Sequence, residues 1–284
     1  MTESKATTGD QMIRVNMTDQ SVKIEPYPEA WKLLGGRALS ARVLLEECDA
    51  TCDPLGPDNV LVFAPGTLAG SAAPTSGRIS VGAKSPLTNG VKEANAGGNP
   101  GQDLMKLGYR LMIITGQPAD GKKRYALEIK SGGVEVVAAD SYAGKWNYAL
   151  CEELATKYPK SASFISIGPA GEQQLRGSSV ACTDQDNRYP ARHAARGGLG
   201  AVMGSKGIKY MAVDAGGQRA RKAVDAAKFG EMCKKYTRGY LDGPQIFAKG
   251  TSAFVPVANQ LHSFPNKNRT SGQSEHVKAL DGAR

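Results

Sequence analysis

Between Ala195 and Gly207 the chain reads ARGGLGAVMGSKG, glycines and a lysine spaced as in a loop that cradles phosphate. A nucleotide P-loop needs lysine directly before serine or threonine, so that the amine meets the terminal phosphates and the hydroxyl meets magnesium. Here Ser205 precedes Lys206, and the segment is predicted to run into a strand at 208–213 instead of opening a helix. The dinucleotide fingerprint, G-x-G-x-x-G after a strand and before a helix, is missing as well. What remains is still specific. Arg192 and Arg196 bracket His193, Ala194 and Ala195, and Gly197, Gly198 and Gly200 follow. Small residues let a bulky ligand approach the backbone N–H groups, and arginine offers paired donors to phosphate or to a heterocycle edge. The same grammar recurs at Arg78 in TSGRIS and at Asn95, Gly97 and Gly98 in NAGG. Three such loops suit one large anionic, heterocyclic cofactor. Composition leaves open the alternative of three unrelated tight turns.

Other reactive side chains give weaker signals. Glu93 and Asp184 lie near these loops and read as solvated carboxylates. His262 and His276 sit in polar surroundings and read as surface residues. The five cysteines, Cys48, Cys52, Cys151, Cys182 and Cys233, contain no C-x-x-C pair and read as buried, inert thiols. The net charge of +9 admits an anionic cofactor, an acidic partner or nucleic acid. Its short basic clusters at 121–124 and 216–222 lack the interleaved aromatics of single-strand binders and read as solvated loops. Nucleic acid is therefore not expected.

The elements that must position the loops follow from patterning. Hydrophobic residues make up 40% and charged residues 22% of 284 residues, enough for a sizeable core. Strands at 12–17 and 22–27 form a hairpin, and a helix over 28–47 breaks at Gly35–Gly36. Further strands are expected at 60–64, 78–83, 111–115, 163–167 and 178–182, with a second hairpin at 125–130 and 134–138. Helices are expected at 102–107, 147–158, 222–241 and 252–261. The stretch NAGGNPG at 95–101 reads as too glycine-rich for regular structure, and no internal repeat is evident. No apolar run approaches the roughly 18–20 residues that span a bilayer, and no leader pattern opens the chain. A cytoplasmic location without membrane attachment is expected.

Taken together, GGRALSARVLLEE, DPLGPDNVLVFAPGTLAGSAAPTSGRISVGAKSPLTNG, NAGGNPG, SIGPAGE and ARGGLGAVMGSKGIKYMAV resemble, in order and spacing, the N-terminal domain of the tungsten-containing aldehyde:ferredoxin oxidoreductase family. The resemblance covers roughly residues 12–215 and continues more weakly through 250–268. It implies an α+β fold in which two β-sheets with flanking helices form a metallopterin-binding base, followed by a short helical segment. The implied organisation is a flexible N-terminus over 1–11, a bis-pterin-binding domain over 12–215, and the start of an incomplete helical second domain over 216–284. It also implies a tungsten (or molybdenum) bis-molybdopterin cofactor. Arg78, Asn95, Gly97, Arg192, His193 and Ala195 match pterin-contacting or bridging positions of the family. Arg196 and Gly197 lie in the same loop, and Arg37 in GGRAL matches a family arginine. Backbone carbonyls at Asn95 and His193 match those that hold the magnesium ion linking the two pterin phosphates.

The departures are equally informative. The C-x-x-C-x-x-x-C run that would ligate a 4Fe–4S cluster does not occur, so the cluster is not expected on this chain. The helical domains that supply the family's acid/base residues and substrate channel are likewise not expected within these 284 residues. The implied default chemistry is aldehyde oxidation to a carboxylic acid with ferredoxin, or another iron–sulfur electron-transfer protein, as acceptor. It would require the missing domains or a complementary subunit, with homo-oligomerisation a further option. The competing expectation is a non-catalytic metallopterin carrier or scaffold.

Overall fold

The run Tyr109–Thr115 is buried along nearly its whole length, so it must be covered on both faces, and it organises a sheet of six strands. The computed structural model describes residues 10–185, 189–243 and 245–282. The first sheet contains β1 (Gln11–Asn16), β2 (Ser21–Pro26), β3 (Leu61–Pro65), β4 (Ile79–Lys84), β5 (Val91–Ala96) and β6 (Tyr109–Thr115), ordered β2-β1-β6-β3-β4-β5. The second contains β7 (Tyr125–Lys130), β8 (Gly133–Ala138), β9 (Ala162–Ser166), β10 (Val180–Cys182), β11 (Arg192–Ala194) and β12 (Ile208–Asp214), ordered β8-β7-β12-β9-β10-β11.

Adding six to every label of the first sheet gives the second. In each sheet one pair is parallel, β1 with β6 and β7 with β12, and every other pair is antiparallel. The helices repeat too. Helix α1 (Gly36–Glu47) follows β2 as α3 (Asn147–Lys157) follows β8, and α2 (Pro100–Lys106) precedes β6 as α5 (Leu199–Ser205) precedes β12. A short α4 (Pro169–Glu172) has no counterpart. The chain therefore contains the internal repeat that its sequence conceals. Two landmarks are retained: Gly108 and Gly207, both at positive φ, end α2 and α5, and two residues on lie the buried cations Arg110 and Lys209.

Packing follows from alternation along the strands. One face of each sheet meets the other in a shared core that includes Ile13, Phe63, Ile79, Leu127, Ile165 and Met211, with Leu104 of α2 and Val202 of α5 filling it. The outer faces are covered by α1, through Leu39, Val43 and Leu44, and by α3, through Leu150 and Leu154. The expected α+β architecture of two sheets with flanking helices is thus present.

Several local expectations are corrected. Asp10 and Gln11 are not a loose end: Gln11 opens β1 and Asp10 pairs with Arg110 (3.0 Å) and Arg221 (2.5 Å). The rest of the N-terminus expected to be flexible lies outside the described residues. NAGGNPG is regular at both ends, with Asn95 and Ala96 inside β5 and Pro100 opening α2, leaving three residues between. The loop at 195–207 does open a helix, α5, before β12 begins. In the basic clusters, Arg124 is largely buried beside Glu172, and the backbone N–H of Arg221 donates to the Gly70 carbonyl.

The contacts divide the chain into one unit ending at Val224 and a second beginning at Asp225. The second unit contains α6 (Ala226–Leu241), capped by the Asp225 carboxylate accepting from the Lys228 N–H at 2.9 Å. This helix starts four residues later than expected. The expected helix over 252–261 is a 3-10 segment, Gln245–Phe254, running into α7 (Val255–Gln260); α8 (Val277–Leu280) is a single turn. Among the described residues no helix is long and apolar enough to cross a membrane.

Candidate functional site

The matching ends of the two repeats supply the site. Strands β5 and β11 are the corresponding edge strands of their sheets, and they approach each other. Antiparallel pairing with β4 sets Asn95 opposite Ser80 and Glu93 opposite Gly82, so Glu93 and Asn95 share a face while Ala94 and Ala96 turn into the core. Pairing of β11 with β10 sets His193 opposite Ala181, with Ala194 buried next to it. His193, expected in a loop, is a strand residue.

Two hollows flank this seam. One, of about 540 Å³, is bounded by Arg78, Asn95, Gly97, Arg192 and His193. The other, of about 570 Å³, is bounded by Arg37, Glu93, Asn95, His193, Ala195 and Arg196. They meet at Asn95 and His193. Every site position named from sequence lies at one or both hollows except Gly197, which lies directly behind. The Gly197 carbonyl accepts from Ser85 Oγ at 2.8 Å, and a Cβ there would come within 2.1 Å of Lys92 Cγ. Lys92 and Gln185 also line the hollows and were not singled out from sequence, since nothing local distinguishes them from surface residues.

The hollows are cationic. Arg78 Nη1 donates to Asn95 Oδ1 at 3.2 Å, which leaves the rest of its fork of donors available. Arg192 and Arg196 are exposed, and neither side chain makes a hydrogen bond or ion pair to a described residue. The described wall of the first hollow contains no carboxylate. The second contains Glu93, which is not the solvated acid expected: its side chain is only 11% exposed and accepts from Arg37 Nε at 3.0 Å, while Oε1 is buried with no partner. Asp184 does lie in a loop, where its backbone N–H donates to the Tyr189 carbonyl.

Glycine geometry shapes the floor. Gly98 has φ +99, and a Cβ there would meet the Thr183 carbonyl at 2.1 Å. That close approach joins the turn after β5 to the end of β10, reinforced by the Asn99 N–H donating to the same carbonyl at 3.1 Å. His193 Nδ1 is 3.1 Å from Ser179 Oγ, so its ring is tethered. Lys206, the lysine that suggested a P-loop, is fully buried and donates to the carbonyls of Gly56 and Pro57 at 3.1 and 3.0 Å. Burial pushes it down to about 8. It braces a loop and lines neither hollow.

Comparison with known proteins places these features. Residues 12–215 match the family model described as aldehyde ferredoxin oxidoreductase, N-terminal domain. The chain is 36% identical over 272 residues to the tungsten-containing aldehyde ferredoxin oxidoreductase of Pyrococcus furiosus, covering 92% of this chain and 43% of that protein. The Pyrococcus abyssi protein of the same description is 36% identical over 282 residues, 96% of this chain and 44% of its own length. An aliphatic sulfonate oxidoreductase, WOR-like subunit, of Pyrococcus furiosus is 31% identical over 70% of this chain and 33% of its own. A solved structure of the active-site complex BamBC of benzoyl coenzyme A reductase with 1,5-dienoyl-CoA superposes with a TM-score of 0.74 at 26% identity, covering 82% of this chain and 35% of that one. The chain thus spans less than half the length of these relatives. It belongs to the aldehyde ferredoxin oxidoreductase family, whose N-terminal domain it contains.

Proposed function

We propose that this chain forms the floor of a bis-molybdopterin site carrying tungsten (or molybdenum), with one pterin over each hollow. The observation that carries this reading is the pair of similar-sized cationic hollows meeting at Asn95 and His193 on equivalent edges of a duplicated sheet. The donor set fits the group. Pterin phosphates are dianionic, and Arg78 and Arg192 on one side, with Arg37, Lys92 and Arg196 on the other, offer charge and N–H donors with no competing free carboxylate among the described lining residues. Gly97 and Ala195 keep the backbone open to close approach, whereas Gly197 makes room for the Lys92 side chain. The carbonyls of Asn95 and His193 are the proposed magnesium ligands, a role that hard oxygen donors suit and that leaves the His193 imidazole to Ser179. Among the described residues no three His, Cys, Asp or Glu side chains gather to hold a metal, so a metal here would rely on its pterins.

When bound, such a cofactor supplies two-electron chemistry, by default the oxidation of an aldehyde and water to a carboxylic acid with ferredoxin taking the electrons singly. This chain's residues would bind and orient the pterins, and the acid/base groups and electron exit would come from further domains or a complementary subunit. The test is to purify the chain anaerobically with the polypeptide that completes it and compare it with R192A and R196A. Both variants should lose at least tenfold in bound pterin and in aldehyde-dependent dye reduction while remaining folded. Undiminished pterin content in both would overturn the reading.

A second reading is a metallopterin carrier. One observation favours it: among the described lining residues the only carboxylate, Glu93, is tied to Arg37. It predicts pterin bound by the chain alone and no turnover when candidate partners are added. Restored turnover on mixing counts against it.

A further inference from the structure

Away from the two hollows, the turn that ends α1 brings two thiols together. Cys48 caps the helix, its N–H donating to the Leu44 carbonyl, and the Cys52 N–H closes the following turn on the Asp49 carbonyl at 3.2 Å. The two sulfurs are 3.9 Å apart. Both residues are half-buried and so within reach of small solutes, whereas Cys151 and Cys182 are buried; the expectation of five buried thiols is corrected here. The turn is braced from beneath. Lys84 Nζ donates to the carbonyls of Ala50 and Cys52 at 2.7 and 2.5 Å, and Asn59 Oδ1 lies 3.7 Å from Cys48 Sγ. The Lys84 ammonium favours the Cys52 thiolate through space and Asp49 opposes it, while the buried Lys206 is influenced by both sulfurs and by Asp58.

We propose that Cys48 and Cys52 form a redox-active pair, oxidised by hydrogen peroxide to an intramolecular disulfide. The Cys48 thiolate attacks one peroxide oxygen, the O–O bond breaks, and the products are a Cys48 sulfenic acid and, after proton uptake, one water. The Cys52 sulfur then displaces the hydroxyl from the Cys48 sulfur, which leaves as a second water carrying the Cys52 proton. Two thiols lose two electrons in all, and one peroxide becomes two waters. Burial and the neighbouring Cys48 push the Cys52 thiol up, and at 3.9 Å either sulfur is placed to resolve the other once it is oxidised. The sulfurs must close by about 2 Å to reach bonding distance, a change that side-chain rotation on a braced turn supplies. The helix they terminate carries Arg37 at its other end, against Glu93 of the second hollow.

The test uses the full chain, reduced, freed of reductant and treated with one equivalent of hydrogen peroxide. Alkylation and peptide mapping should show Cys48 and Cys52 protected together, with a mass loss of two hydrogens, no intermolecular crosslink, and full recovery of both thiols on reduction. C52S should trap the sulfenic acid on Cys48 for labelling by dimedone, and C233S should leave the protection of the pair unchanged. Preferential oxidation of Cys233, crosslinked dimers, or unlabelled Cys48 in C52S would each overturn the proposal.

Discussion

Gly98 and Lys206 are two residues that their surroundings constrain tightly. At Gly98 a methyl group would meet the Thr183 carbonyl at 2.1 Å in a backbone region closed to most L-residues. G98A should therefore cost roughly 2–4 kcal/mol in denaturant unfolding. G121A, with open space around its Cβ, should stay within about 0.5 kcal/mol. Lys206 makes a pH prediction. The unfolded chain holds this proton up to about 10.5 and the folded chain only to about 8, so between those values the unfolded state binds more protons. Folding should then strengthen as pH rises from 8 to 10, by up to about 3 kcal/mol from this group. The difference between wild type and K206M in chemical denaturation isolates it; a pH-independent difference would contradict the account. The residue types of the site were legible because arginine beside glycine is a chemical pattern. The pairing of Glu93 with Arg37 was not, since it joins positions 56 apart in the chain, and no spacing rule encodes that contact.

Among the elements, α5 explains why glycine is so frequent between Gly197 and Gly207. The helix lies so close to its neighbours that a Cβ on Gly200 would come 2.5 Å from the Ser179 carbonyl, and one on Gly204 1.9 Å from the Gly171 carbonyl. Gly200 and Gly204 serve helix packing beneath the site. G204A should push α5 from α4 and lower stability by about 2–4 kcal/mol. Residual pterin binding should fall with it, because α5 follows directly on Ala195, Arg196 and Gly197; a calorimetric Tm within 1 °C of wild type, on the order of a few tenths of a kcal/mol, would show the packing to be looser than the geometry states. Strands with strong alternation or continuous apolar runs, such as β3, β6 and β12, were readable from sequence. Three-residue β11 and seven-residue α5 were not, because each is too short to express a period and is held by its partners.

At the scale of the molecule, duplication explains the site. Two copies of one sheet topology, packed face to face, bring equivalent edge strands together, and the proposed ligand of two similar halves would meet two similar surfaces. The copies have diverged where chemistry differs: the second residue of α1 is Arg37, that of α3 is Tyr148. The repeat escaped the sequence because it is expressed in strand order and pairing, which join positions far apart in the chain. The central claim, two pterins on two hollows, is tested most directly by the ratio of oxidised-pterin fluorescence to tungsten plus molybdenum, by elemental analysis, in the anaerobically purified complex. The account predicts two pterins per metal ion. A cluster-containing, active complex with one pterin per metal, or with none, would contradict it.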